Sequence, residues 1–447
     1  MRRAAAEDGD RLLMSDIPRR SLETLVLSVL GRAIAMAGNV VVARVLGPAG
    51  KGIVTYALSI LTFVLELFCG QTSAIAYQYG RRGTPLRTVY GAMIKVLVLL
   101  VLPISAGITA IALTMKGQGP LIAAAAALPL AAYVQATRGF FLADAAVRAA
   151  NIQALVAPAT FAVAGSVALL VTHGSLWVLL GVFVLSYVPA TIYTVRELRT
   201  LHAQRAGEPV QDPVRNQLVF GSQVGAVNLV NFLNNRVDLF IIIFVLGVKA
   251  VGVYSVSIAI AEVLWQMSGP VAVAAYGPIS TLSEPEAAKL TAKCIRNTLP
   301  IAFIVSIGTF FLAPPLVTFV FGQPFAEAGY VARYFLPGAI AWSAMYHINT
   351  FLTIQLGRPQ LVLWIQAVSA TICAAVTLAL VHPLGIASGA IGSSIAYIVG
   401  TTWAVIYFLR HTGLNPLELV AFGKDDLRRY LALAGWVLRS AGTAFAR

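Results

Sequence analysis

The sequence predicts an all-α polytopic membrane protein with twelve transmembrane helices, from its composition, its apolar segments and the distribution of its basic residues. Of 447 residues, 58% are hydrophobic and only 11% are charged, and the mean hydropathy is +0.81. A soluble domain carries about 25% charged residues, so this chain cannot cover a soluble surface with charge. The composition excludes a cytoplasmic enzyme, a secreted domain and a disordered protein.

Twelve segments reach the length of about 20 mostly apolar residues that a membrane helix needs. They are residues 22–46, 53–79, 87–115, 120–143, 151–172, 175–195, 218–246, 251–278, 294–320, 328–355, 361–381 and 386–409. The longest polar stretch between them divides the chain into six plus six segments. We therefore predict a cytoplasmic N-terminal segment (1–21), an N-lobe (22–195), a cytoplasmic linker (196–217), a C-lobe (218–410) and a cytoplasmic tail (411–447).

The basic residues orient these segments. If the N-terminus lies in the cytoplasm, 23 of the 32 basic residues fall on the inner side, and only Arg44, Lys51, Lys116 and Lys249 fall at the outer side. Positive charge concentrates in cytoplasmic loops, so this bias predicts that both termini are inside. It also accounts for the net charge of +14 without a nucleic-acid partner.

The tail contains a second kind of apolar pattern. One helical face carries Leu427, Leu431, Ala434, Val437 and Leu438. The run is too short to span a membrane, so we predict an amphipathic helix lying at the membrane interface.

An internal repeat relates the two halves. Residues 45–47 (Val-Leu-Gly) match 245–247 at an offset of 200, and Arg148 matches Arg358 at an offset of 210 within similar surroundings. Both halves begin inside and hold six spans, so the repeat is parallel. Two six-helix lobes facing each other imply a central cavity and transport by alternating access.

Charged residues inside the spans are costly and are therefore candidates for function. Arg32 and Glu66 lie near the middle of spans 1 and 2. At the offset of 200, Arg236 and Glu262 each fall four residues, about one helical turn, from those positions. We predict one Arg–Glu pair in each half, Arg32 with Glu66 and Arg236 with Glu262. The alternative is that such pairs serve helix packing alone.

A polar stripe lies beside Arg236. Asn228, Asn231 and Asn235 share one face of span 7, which indicates either a wet cavity or an interhelical contact. Asp238 points to another face and is a candidate proton or sodium site or a packing residue.

Two further arginines and one histidine complete the intramembrane candidates. Arg138 lies toward the inner end of span 4, and Arg333 lies near the outer end of span 10, where a structural role is equally plausible. His347 in span 10 is more often a packing residue than a ligand.

Other chemistry is not predicted. The histidines, cysteines and acids show no metal spacing, so we expect no metal site and no cofactor. The sequence Gly-Pro-Ala-Gly-Lys-Gly at 47–52 lacks the spacing of a phosphate-binding loop. Uphill transport would then depend on an ion gradient, with H⁺ or Na⁺ as the coupling ion, and Glu66, Asp238 and Glu262 are candidates to carry it. We expect a transporter and not an enzyme.

Residues 44–52 and the run 235–255 resemble the corresponding segments of polysaccharide biosynthesis proteins, the Wzx-type lipid-linked oligosaccharide flippases. The resemblance implies two lobes in a V shape and an undecaprenyl-diphosphate-linked glycan, moved from the inner to the outer leaflet of the bacterial inner membrane. It implies membrane lipids and glycan polymerase or export proteins as partners. Arginine binds phosphate bidentately, so candidate headgroup ligands are Arg32, Arg138, Arg236, Arg333, Asn231 and Asn235.

Three alternatives remain open at this point. The spans hold five basic residues against four acids, a small margin over the acid-lined cavity that a multidrug or toxin cation antiporter would need. A lipid II flippase would have two extra helices, which the sequence lacks. A glycan-assembly scaffold without transport would not need polar residues in the membrane.

Overall fold

The structure is a computed structural model that describes residues 2–114, 119–201, 210–266, 275 and 279–420, with side chains from Leu30 onward except those of residues 69, 265 and 266. Within these ranges all regular secondary structure is helical. The helices are α1 Arg2–Ile75, α2 Leu86–Thr114, α3 Gly119–Ala143, α4 Val147–Val171, α5 Leu176–Leu185, α6 Tyr187–Leu198, α7 Pro213–Leu246, α8 Val248–Gln266, α9 Glu284–Phe321, α10 Ala326–Thr350, α11 Pro359–Leu384, α12 Ala387–Thr412 and α13 Leu417–Val420.

Each of the twelve predicted spans lies on a helix over its described part, so the predicted all-α class is confirmed. In the described part of the chain, nine helical segments are long and apolar enough to cross a membrane. One of them, Leu30–Arg81, holds the first two predicted spans, and α8 and α10 hold the two spans outside this set. The inner part of span 8, the middle of the linker and the predicted interfacial helix of the tail lie outside the described residues.

Gly47 and Gly247 interrupt the helices at matching positions of the two repeats. Gly47 has φ +65° inside α1, and Gly247 has φ +84° between α7 and α8. A side chain is strained at positive φ, so both Val-Leu-Gly motifs require glycine. The repeat that the sequence predicts therefore has a backbone counterpart.

Gly52 and Gly252 lie where the two repeats touch. A Cβ on Gly52 would meet the carbonyl oxygen of Val248, and a Cβ on Gly252 would meet that of Pro48. Pro48 and Val248 occupy matching positions of the two repeats, so the contact is reciprocal, as at a two-fold axis. The two helix starts can approach this closely only because both residues lack a side chain.

Helices α7 and α9 extend several residues before the membrane spans predicted from residues 218 and 294. The Asp212 carboxylate accepts a hydrogen bond from the N–H of Arg215 at 3.2 Å, so α7 begins at Pro213. Before α9, the Glu286 carboxylate accepts hydrogen bonds from the Ser283 backbone N–H at 3.2 Å and from the Ser283 hydroxyl at 2.6 Å. These are an N-cap and a capping box, which stabilise helix starts that hydropathy does not detect.

The helices form two compact units. The first comprises Met1–Leu233, Leu246–Val253 and Val320–Pro324. Its core is apolar and includes Phe68, Met93, Leu128 and Phe140. The second comprises Asn234–Val245, Tyr254–Phe319 and Phe325–Arg447, and there α12 packs against α10 and α11.

Buried glutamines connect α7 to α1, to the π-helical turn Ala76–Arg81 that follows it, and to α2 within the first unit. The Gln217 amide donates to the Gln78 side chain at 3.0 Å and to the Val89 carbonyl at 3.1 Å. The Gln71 amide donates to the Gln217 carbonyl at 3.1 Å. These bonds satisfy amide N–H groups that water cannot reach, and they fix how α7 packs against these segments.

Candidate functional site

Arg236 and Glu262 form an ion pair between α7 and α8 in the second unit. The sequence predicts this pair from the repeat, and the structure brings the two side chains together. Each side chain is about one third exposed, at 30% and 31%. A charge facing lipid costs several kcal/mol, so the exposed part of this pair requires a polar surrounding.

Asp238 lies one half-turn further along α7 and is 2% exposed. Its carboxylate accepts hydrogen bonds from the Tyr254 hydroxyl, from the Ser393 hydroxyl at 2.8 Å and from the Leu239 N–H at 2.8 Å. A buried charge without hydrogen bonds would be very costly. Here α7, α8 and α12 supply donors that solvate the carboxylate with neutral groups.

The surroundings of Asp238 are closely packed. A Cβ on Gly389 would lie 2.7 Å from Cζ of Tyr254, so glycine gives the tyrosine room to reach the carboxylate. The Cys373 sulfur lies 3.5 Å from the Ser393 hydroxyl. Hydroxyl groups can either donate or accept, so this site can hold Asp238 ionised or protonated without losing its contacts.

The asparagines of α7 have different surroundings. Asn231 is exposed, and Asn235 accepts a hydrogen bond from the Tyr397 hydroxyl at 3.3 Å. Asn234, which the predicted stripe omits, is 1% exposed, and its amide atoms have no hydrogen-bond partner among the described residues. A buried amide without a partner is costly, so Asn234 is a further buried polar group on this helix.

The other predicted arginines make different contacts. The Arg333 Nε donates to the Phe310 carbonyl at 2.8 Å, and the guanidinium lies over the rings of Phe310 and Tyr330. The Arg138 Nε is buried without a hydrogen-bond partner in the described part of the chain. Arg32 is exposed and Glu66 is half-buried, and their pairing stays a prediction.

Lys51 in the first unit is a buried cation that the candidate residues did not include. It is 6% exposed, and its ammonium donates to the Asn39 side chain at 2.9 Å and to the Thr55 hydroxyl at 3.4 Å. Its placement directly after the Gly47 break is visible in the sequence, but its burial is not. The sequence does not single out Tyr254 or Ser393 either, because hydroxyl residues are common in membrane helices. These two differ from the other hydroxyl residues by their hydrogen bonds to Asp238.

His347 is buried on α10, and its Nε2 lies 2.9 Å from the Thr298 hydroxyl. Across the residues that the structure describes, no group of three or more His, Cys, Asp and Glu side chains could hold a metal ion.

Residues 41–329 match the family described as polysaccharide biosynthesis protein, which is more than half of the chain. This range includes α7 and α8, with the ion pair and Asp238. No curated protein matches the sequence.

Solved structures that share this fold include transporters of the MOP superfamily and a lipid II flippase. An inward-facing multidrug resistance MATE transporter is 14% identical with a TM-score of 0.63, covering 87% of this chain and 98% of its own. The lipid II flippase MurJ is 11% identical with a TM-score of 0.62, covering 89% and 88%. A MOP transporter from Pyrococcus furiosus, described as having a binding pocket of reverse polarity, is 14% identical with a TM-score of 0.59, covering 89% and 95%.

Proposed function

The chain belongs to the polysaccharide biosynthesis protein family, and on that basis we propose that it is a flippase for an undecaprenyl-diphosphate-linked oligosaccharide. The substrate would pass from the inner to the outer leaflet of the bacterial inner membrane by alternating access. The fold supports this proposal, since one structure that shares it belongs to a lipid II flippase. In this proposal the protein moves its substrate without changing it chemically and is not an enzyme.

The observation that carries the proposal is the partly exposed ion pair of Arg236 and Glu262 on two membrane helices. A diphosphate needs a cationic partner in a medium of low dielectric constant, and a guanidinium can bind it through two parallel hydrogen bonds. We propose that the diphosphate displaces Glu262 from Arg236. The released carboxylate would then be free to take up a proton.

Asp238 is the second group in the proposed cycle. Its hydroxyl neighbours Tyr254 and Ser393 accommodate either protonation state. Because Asp238 lies two residues from Arg236, loading of the headgroup and binding of H⁺ or Na⁺ would act on the same turn of α7. This closeness supports coupling to an ion gradient.

The test uses purified full-length protein in liposomes that contain an undecaprenyl-diphosphate-linked glycan, with protected and exposed glycan measured over time. Arg236→Gln should reduce the translocation rate at least tenfold. Lys249→Gln is the matched control, because it removes one positive charge from an exposed position of α8. Equal translocation rates for wild type and Arg236→Gln would contradict the headgroup role of Arg236. If none of several glycans is translocated under a proton gradient or a sodium gradient, the flippase proposal is overturned.

A cation antiporter is the second candidate, and the buried carboxylate of Asp238 favours it, as does the shared fold with a multidrug resistance transporter. The same liposomes distinguish the two functions. Gradient-driven uptake of a cationic dye that requires Asp238 but not Arg236 would support the antiporter.

The proposed topology places both termini in the cytoplasm, with membrane lipids around the helices and glycan polymerase or export proteins as partners. The excess of basic residues on one side of the predicted spans supports this orientation. Labelling of single cysteines at exposed loop positions in intact cells would measure it.

A further inference from the structure

A chain of contacts joins three helices at one end of the second unit. Glu284, at the start of α9, accepts a hydrogen bond from His411 Nε2 at 2.9 Å. The ring of His411 stacks on Tyr407 with 5.9 Å between centroids and 6° between planes. The Tyr407 hydroxyl accepts a hydrogen bond from Arg358, directly before α11. These contacts hold the guanidinium of Arg358 against the end of α12.

A groove of about 390 Å³ runs along the same face of α12, lined by Trp403, Ile406, Tyr407, Arg410 and His411. These residues recur every three or four positions and so share one face of the helix. Trp403 lies about 10 Å deeper along the helix axis than Arg410, at 1.5 Å per residue. The groove is therefore apolar and aromatic at one end and cationic at the other.

Arg410 lines the groove, and Arg358 lies beside it through its hydrogen bond to Tyr407. Among the residues that the structure describes, no carboxylate lies within ion-pair distance of Arg358 or Arg410, and both side chains are exposed. Glu284 is engaged with His411. Both arginines fall on the cytoplasmic side of the predicted topology, where anionic headgroups attract basic residues.

We propose that this groove binds one anionic phospholipid of the cytoplasmic leaflet. Its phosphate would lie between Arg358 and Arg410, and the beginning of its acyl chains would lie along Ile406 and Trp403. The order of cationic, aromatic and apolar groups along α12 matches the order of groups in such a lipid. The chain's own tail, 421–447, is a poorer occupant because its five basic residues outnumber its two acids. This proposal does not depend on the flippase function.

Native mass spectrometry of the full-length protein in detergent tests the site with phosphatidylglycerol, phosphatidylcholine and inorganic phosphate as separate probes. We expect one tightly retained phosphatidylglycerol. The double variant Arg358→Gln/Arg410→Gln should lose about thirtyfold in affinity. The matched control is Arg81→Gln/Arg82→Gln, which also removes two exposed arginines, one of them hydrogen-bonded to a tyrosine, Tyr77, at 2.9 Å.

The control variant should retain the lipid as wild type does. Equal retention of phosphatidylcholine and phosphatidylglycerol, or equal losses in both double variants, would overturn the proposal. If the Arg358/Arg410 variant does not fold, fluorescence quenching by brominated phosphatidylglycerol tests the lipid site instead. It should quench tryptophan fluorescence of the wild type more strongly than that of Trp403→Phe, and equal quenching would overturn the proposal. Retention of inorganic phosphate alone would assign the arginines to a soluble anion instead.

Discussion

The two repeats share a backbone device but bury charges of opposite sign. Gly47 and Gly247 break the helices at matching positions, and Gly52 and Gly252 contact each other's repeat reciprocally. Among the described residues, the first unit buries the ammonium of Lys51 and the second buries the carboxylate of Asp238. A duplicated backbone therefore carries two different electrostatic environments.

The buried charges also differ in how well they are solvated. Asp238 accepts hydrogen bonds from three groups, whereas Lys51 donates one short and one long hydrogen bond to neutral oxygens. A buried ion is stabilised by the dipoles around it. The contrast indicates that the site of Asp238 is organised around a charge, while Lys51 is tolerated with fewer contacts.

The largest effect is expected for Asp238→Ala. It leaves the hydroxyls of Tyr254 and Ser393 without their acceptor in a buried site, so unfolding in detergent should become easier by about 3 kcal/mol. Asp238→Asn retains one acceptor oxygen and should lose less than half as much. A thermal or denaturant unfolding series would measure both variants, and equal losses would contradict the role of the acceptor.

Alanine at either central glycine tests the shared backbone. Gly52→Ala and Gly252→Ala each place a Cβ against a carbonyl oxygen of the other repeat, so each should destabilise the protein by about 2 kcal/mol. Because the contact is reciprocal, the two losses should be similar. Gly107→Ala is the control, since nothing lies within 4 Å of its Cβ position. Clearly unequal losses of stability would show that the two glycines do not make equivalent contacts.

The ion pair tests whether the second unit needs specific charges. A double-mutant cycle with Arg236→Ala and Glu262→Ala should give a coupling energy of about 1 kcal/mol, since both side chains are partly exposed. Exchange of the two residues should preserve stability but not translocation, because the cation would move to α8. Full transport by the exchanged variant would show that the pair serves packing alone.

The smallest effect is expected for Lys51→Met. The substitution removes a poorly solvated buried charge and keeps most of the side-chain volume, so stability should change by less than about 1 kcal/mol. Thermal unfolding would measure the change. A loss as large as that of Asp238→Ala would mean that the first unit depends on its buried charge as strongly as the second.

Much of the fold could be predicted from the sequence because membrane helices are long and apolar. The twelve spans and the repeat were predicted, including the two Val-Leu-Gly breaks. Helices α7 and α9 extend beyond the predicted spans, since Asp212 and Ser283 cap polar helical turns that hydropathy does not register. A capping pattern of Asp-Pro or Ser-Glu-Pro-Glu would have located them.

The candidate site was predicted only where the repeat gave a relation between distant residues. That relation predicted the pair of Arg236 and Glu262. It gave no indication of Tyr254 and Ser393, because hydrogen bonds from α8 and α12 to α7 depend on how three helices pack. The hydrogen-bond donors around Asp238 are therefore visible only in the structure.

The sequence by itself determined the class of the protein, its helices and the places where they break, because lipid demands apolar segments with internally bonded backbones and glycine permits positive φ. Tertiary structure decided which polar groups lie buried and with which partners. Burial of Lys51, the donors around Asp238 and the joining of Arg358 to Tyr407 depend on contacts between residues far apart in the chain. Sequence periodicity describes one helix face, whereas solvation of a buried charge requires several helices at once.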